Sequence, residues 1–189
     1  GQGGHRHAHS VSPDGQVLAF EEILAGTGND IWVMPLMGER KARPFLRTTF
    51  NETAARFSPD GRWIAYSSNE SGRDEVYVLA YPGPGGKRQI STEGGTEPVW
   101  AHSGRELFYR NGDKLLVTDV TLQPAFSAGQ PRVLFEGRFD TLPWNSNYDV
   151  APDDQRFLMV QSAEPGTGQT QIYVVLNWFE ELKRRVAPK

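Results

Sequence analysis

The chain contains no cysteine. That rules out disulfides, thiolate metal sites and a cysteine nucleophile, while leaving reducing and oxidising compartments equally open. It lacks any apolar run near the ~20 residues of a membrane span, and residues 1–10 are too polar for a signal peptide. It does not begin with Met, as expected of a mature or excised piece with a foreign remnant at Gly1 to Gly4. An excess of charge is also missing. Twenty Lys and Arg against 23 Asp and Glu leave a formal net charge of −3. Nothing in that balance points to nucleic acid or an acidic membrane surface.

What the 189 residues do have is glycine and proline, 33 in total and spread along the chain, with 38% hydrophobic residues to build a core. Many short elements joined by tight turns produce that distribution. Four segments repeat: Val11-Ser12-Pro13-Asp14-Gly15, Phe57-Ser58-Pro59-Asp60-Gly61, Trp100-Ala101-His102-Ser103-Gly104 and Val150-Ala151-Pro152-Asp153-Asp154. With Pro13, Pro59, His102 and Pro152 equivalent, the spacings are 46, 43 and 50 residues, the range of four-stranded propeller blades. Ser-Pro-Asp-Gly suits a type I turn, with Pro presetting φ and Gly accepting the left-handed position that follows. Asp154 stands at that position in the last copy.

An apolar strand such as Trp63-Ile64-Ala65-Tyr66 follows each turn, without clean alternation, so both faces should be buried between stacked neighbours. A third strand follows in every unit (Ile31-Trp32-Val33, Val76-Tyr77-Val78, Leu115-Leu116-Val117, Ile172-Tyr173-Val174), and a fourth in the first three. The expected architecture is all-β, a propeller of about four four-stranded blades over residues 5–47, 52–91, 96–136 and 146–176, forming one domain. Trp178, Leu182 and Val186 recur every four residues after Asn177, so 178–186 are expected as a short C-terminal helix.

These units resemble the TolB-type propeller repeat along nearly the whole chain. Three stretches resemble more closely the C-terminal propeller region of bacterial, Acidobacteria-like membrane serine/threonine kinases. They are Glu93-Gly94-Gly95-Thr96-Glu97-Pro98-Val99-Trp100, Gly104-Arg105-Glu106-Leu107-Phe108-Tyr109 and Asn177-Trp178-Phe179-Glu180-Glu181-Leu182. That likeness implies a periplasmic or extracytoplasmic position and a binding or sensing role. The kinase motifs are absent from these residues, so no kinase activity carries over. Related propellers have six or more blades, which implies a fragment of a longer ring or a homodimer that completes a larger one. The partner expected is therefore a protein or a second copy.

Candidate chemistry is sparse. His5, His7 and His9 share one face of a strand at metal-ligand spacing; the alternative is a frayed strand with three solvated histidines. No other cofactor is expected. Inner strands starting near Ala8, Ala54, Glu97 and Asn147 place His7, His9, Glu52, Glu97, Asn147 and Tyr148 at the channel mouth, where such a fold would bind a small ligand or sugar. Alternatively these groups only satisfy one another. Gly83-Pro84-Gly85-Gly86 and Gly94-Gly95 precede no helix and read as loops rather than phosphate cradles. No Gly-x-Ser-x-Gly elbow is present. His102 and the turn residues Asp14, Asp60 and Asp153 read as structural. Trp144, in the longest repeat, is either an exposed contact or a loop residue tucked over its blade. The leading expectation is a non-catalytic binding module, with a hydrolase or lyase as the alternative.

Overall fold

The computed structural model describes residues 4–83, 85–140, 146–161 and, for the backbone alone, 171–175. These residues are all β. The first blade is β1 (Arg6–Val11), β2 (Val17–Leu24), β3 (Gly28–Pro35) and β4 (Arg43–Leu46), antiparallel in chain order. The second is β5 (Glu52–Phe57), β6 (Trp63–Ser68), β7 (Glu75–Ala80) and β8 (Arg88–Gln89). The third is β9 (Thr96–Trp100), β10 (Glu106–Asn111) and β11 (Lys114–Thr121), edged by both β12 (Ser127–Ala128) and β13 (Arg132–Glu136). The fourth is β14 (Tyr148–Val150), β15 (Phe157–Gln161) and β16 (Gln171–Val175). The expected helix at 178–186 and Trp144 lie outside the described residues.

The third blade departs from four strands because β11 is long enough to pair twice. Its start pairs with β13, through Leu115 and Phe135, and its end pairs with β12, through Val120 and Ala128.

The repeated turns close as their chemistry requires. The amides of Gly15, Gly61, Gly104 and Asp154 donate to the carbonyls of Ser12, Ser58, Ala101 and Ala151, at 2.8 to 2.9 Å. All four residues have positive φ, from 56° at Asp154 to 71° at Gly15. Asp154 does more than tolerate the conformation. Its carboxylate accepts the amides of His102 and Ser103 (2.6 and 2.9 Å) and so ties the fourth turn to the third. Asp14, Asp60 and Asp153 each accept a backbone amide two residues on. They serve the turns, as residues of this type do.

The core is three slabs, one between each pair of consecutive blades. Ala19, Ile31 and Val33 of the first blade meet Phe57, Ile64 and Tyr66 of the second. Ala65, Val76 and Val78 meet Trp100, Leu107 and Tyr109. Phe108, Leu115 and Val117 meet Val150, Phe157 and Met159. The middle of each strand inside the stack is thus apolar on both faces, which explains why the strands do not alternate.

Candidate functional site

The inner strands carry the irregularities that position the candidate residues. Pairing of β1 with β2 shifts between Ala8 and Ser10, and pairing of β5 with β6 shifts between Thr53 and Arg56. A third shift lies in the pairing of β9 with β10, opposite Glu97 and Pro98. Ala54 and Glu97 occupy equivalent repeat positions and both have φ of 54°. A bulge inserts one unpaired residue and re-aims its neighbours.

The six channel-mouth candidates consequently fall into three groups. In the first, His7 Nδ1 and His9 Nε2 converge on the two oxygens of Glu21, at 2.8 and 3.0 Å. Glu21 is fully buried. Burial pushes its carboxyl up, but the hydrogen bonds from His9 and His7 outweigh that and hold it below the usual value. His5 is exposed and lies outside β1. The arrangement is two imidazoles about a carboxylate rather than three histidines in a row. Among the described residues, no three His, Cys, Asp or Glu side chains form a cluster able to hold a metal ion.

The second group joins the third and fourth blades. Glu97 Oε2 accepts the Asn147 amide at 2.8 Å, and the Tyr148 hydroxyl donates to the Glu97 carbonyl at 2.8 Å. All three residues are buried. Burial raises the Glu97 carboxyl, opposed by the Asn147 amide and by the guanidinium groups of Arg110 and Arg56. The Tyr148 hydroxyl is pushed well above its ordinary value by burial and by Glu97.

Glu52 stands apart from both groups. It is fully buried between the first and second blades, accepting a hydrogen bond from the Thr48 hydroxyl. Its surroundings include Asp30, also fully buried.

Sequence reasoning missed Glu21 and Arg110. Both occupy the same repeat position, eight residues after Pro13 and His102, at the end of the apolar runs Val17-Leu18-Ala19-Phe20 and Leu107-Phe108-Tyr109. Arg110 is buried and donates to the carbonyls of Asp140, Phe139 and Gly112. A charge within a strand buried on both faces was the available signal, because such a group must be paired.

At the opposite end of the blades lies a cleft of about 1000 Å³. It crosses the turns of the second, third and fourth blades and the end of β11. Asp60, Glu106, Asp119, Asp153 and Asp154 line it with Arg105, while Arg132 pairs with Glu106 and Asp119, and Arg156 pairs with Asp153. Pro59, Val120 and Leu122 supply apolar surface.

Residues 2–185 match the model of the TolB β-propeller domain. The chain belongs to this family. Solved structures agree on the fold. TolB from Acinetobacter baumannii superposes with a TM-score of 0.69 at 17% identity, covering 88% of this chain and 39% of that one. A puromycin-hydrolysing peptidase from Mycobacterium tuberculosis gives 0.62 at 20% identity, covering 90% and 29%. An oligogalacturonate lyase in complex with manganese gives 0.58 at 15% identity, covering 93% and 48%. This propeller chain therefore spans less than half the length of each. Its relatives in fold include both a TolB protein and enzymes, so the function has to be argued from its own surfaces.

Proposed function

We propose that this TolB-type propeller is a non-catalytic protein-interaction module that works outside the cytoplasmic membrane. The observation that carries the reading is the cleft on the turn side. Five carboxylates against Arg105, Arg132 and Arg156, beside apolar Pro59 and Leu122, leave a net negative face that suits an extended segment carrying Lys or Arg. The candidate groups at the other end of the blades are bonded to one another or to neighbouring groups, and so serve to hold strands and blades together. The extracytoplasmic position rests on the sequence likeness to membrane-kinase propellers.

Titration calorimetry with a ten-residue Lys/Arg peptide tests the cleft. Binding should weaken as salt rises, since exposed charges are screened. The double substitution Asp119→Asn, Glu106→Gln should weaken it about tenfold, or ~1.4 kcal/mol. Equal binding of an acidic peptide of the same length, or no binding at millimolar concentration, refutes the reading.

A second contact is favoured by the ends of the stack. Phe57, Trp100 and Val150 each plug against the preceding blade and are at most 8% exposed, whereas Val11, their equivalent in the first blade, is 48% exposed. Ala19, Ala65 and Phe108 are buried against the following blade, whereas Leu158, their equivalent in the fourth, is 44% exposed. The two ends expose what the internal joints bury, as a head-to-tail pair of copies requires. Light scattering at tens of micromolar should therefore report the mass of two chains, and Leu158→Glu should return it to one. A monomer in the unsubstituted chain removes the dimer.

A further inference from the structure

The second joint of the stack shows how this fold satisfies a buried acid. Glu75 opens β7 and is almost fully buried. It accepts the Arg73 guanidinium at 2.7 Å, the Gly94 amide at 3.0 Å and the Ser91 hydroxyl. Both of its oxygens are occupied by donors from its own blade and from the loop entering the next.

Asp30 holds the same repeat position in the first blade and is worse supplied. Its Oδ2 accepts the Thr27 hydroxyl at 2.6 Å, and Arg47, half-exposed, reaches only to 3.6 Å. Its Oδ1 is buried without a hydrogen-bond partner. Glu52 adds a second fully buried carboxylate to this joint, and its Oε2 is likewise without a partner. Local pairing brings the two acids together. The Asn29 amide donates to the Asn51 side chain at 3.1 Å, so the residues next to Asp30 and Glu52 are bonded to each other. Arg47 and Thr48, adjacent in sequence, serve Asp30 and Glu52 respectively.

The remaining groups do not relieve the charge. Glu70 adds a second negative neighbour to Glu52, although Lys87 pairs with it. The Tyr66 hydroxyl, influenced by both Glu52 and Glu70, is buried and also lacks a partner. Two charged carboxylates with unpaired oxygens in a buried joint would repel each other and lose hydration. A proton on Glu52 removes one of the two charges.

We propose that Glu52 keeps a proton beside the buried Asp30 carboxylate and that this proton holds the joint between the first two blades closed. The Glu52 carboxyl is the group that carries it, pushed up to about 7 by burial first and then by Asp30 and Glu70, against the Thr48 hydrogen bond. The folded chain therefore keeps this proton more tightly than the unfolded chain, whose carboxyl has the ordinary value of 4.5. The stabilisation is complete below 4.5 and is lost as pH rises through about 7. Near neutral pH the first blade becomes easier to detach from the second, while the fully satisfied Glu75 joint stays shut.

Carboxyl carbon NMR of the 189-residue chain, with hydrogen exchange followed by mass spectrometry, tests this. Glu52 should titrate near neutrality. After correction for intrinsic rates, exchange in peptides covering 28–35 and 48–57 should rise about tenfold between roughly pH 6 and pH 8, with peptides covering 75–80 unchanged. Glu52→Gln supplies a permanent donor of the same shape and should abolish that pH dependence. Asp30→Asn should lower the Glu52 midpoint. A Glu52 carboxyl that titrates at its ordinary value overturns the proposal. So does a pH dependence that persists unchanged in Glu52→Gln.

Discussion

Phe157→Ala is expected to destabilise the chain by about 3–5 kcal/mol and to loosen the fourth blade from the third. Phe157 is fully packed in the slab between those blades, and its neighbours are rings. It meets Phe108 edge-on at 5.0 Å between centroids and Phe135 at 5.8 Å. Phe108 comes from β10 and Phe135 from the outer strand β13, so one side chain joins the inner and outer parts of the third blade to the fourth. The loss has two parts, the transfer of the ring from water and the cavity left among rings that cannot collapse. Urea unfolding monitored by tryptophan fluorescence measures it. Phe157→Leu, which keeps most of the volume, should cost about 1–2 kcal/mol. A midpoint for Phe157→Ala within error of the unsubstituted chain would mean that the fourth blade contributes nothing to the cooperative unit.

Arg110→Ala is expected to cost about 3–5 kcal/mol through the loss of three charge-assisted hydrogen bonds to backbone carbonyls. Its guanidinium reaches the carbonyls of Asp140 at 2.6 Å and of Phe139 and Gly112 at 3.1 Å. These lie in two loops, one leaving β10 and one leaving the third blade. Removing the side chain leaves three carbonyls short of donors. It also takes away a cation that holds the Glu97 carboxyl down. Two readouts follow. Urea unfolding gives the stability loss, and NMR of the Glu97 carboxyl should show its midpoint moving further up. Arg110→Lys should rescue little of the stability, because one ammonium lacks the planar fork that spans separated carbonyls. It should nonetheless restore part of the Glu97 effect, which needs only the charge. Full stability in Arg110→Ala would show that solvent replaces the guanidinium.

The dimer, the basic-peptide cleft and the proton-locked joint each rest on surfaces or contacts between blades rather than within one. A blade is specified by local signals. Ser12-Pro13-Asp14-Gly15 and its copies announce the turns, and the apolar runs after them announce strands buried on both faces. Their spacing gives the number of units. The partners of charged groups are different in kind. Glu21 lies on the strand paired with β1, 14 and 12 residues from His7 and His9, and Asp154 reaches a turn 51 and 52 residues back in sequence. Spacing along the chain says nothing about which of several carboxylates will meet a given imidazole or amide.

The histidine run shows the difference most clearly. Period-two geometry put His5, His7 and His9 on one face, and strand β1 does carry the last two inward. What they meet is decided by β2, because register places Glu21 opposite His7. Glu97 illustrates a second limit. Its burial depends on a bulge at positive φ and on β14 arriving to donate the Asn147 amide. No property of the segment Thr96-Glu97-Pro98 forecasts that arrival.

The sequence by itself determined the turns, the strands, the repeat and hence the all-β propeller architecture, because those follow from backbone preference and apolar patterning over a few residues. Only the tertiary structure decided which charges are buried, which acid finds donors and which must keep a proton. Those outcomes depend on the distance between groups on different blades, and that distance exists only once the blades are stacked.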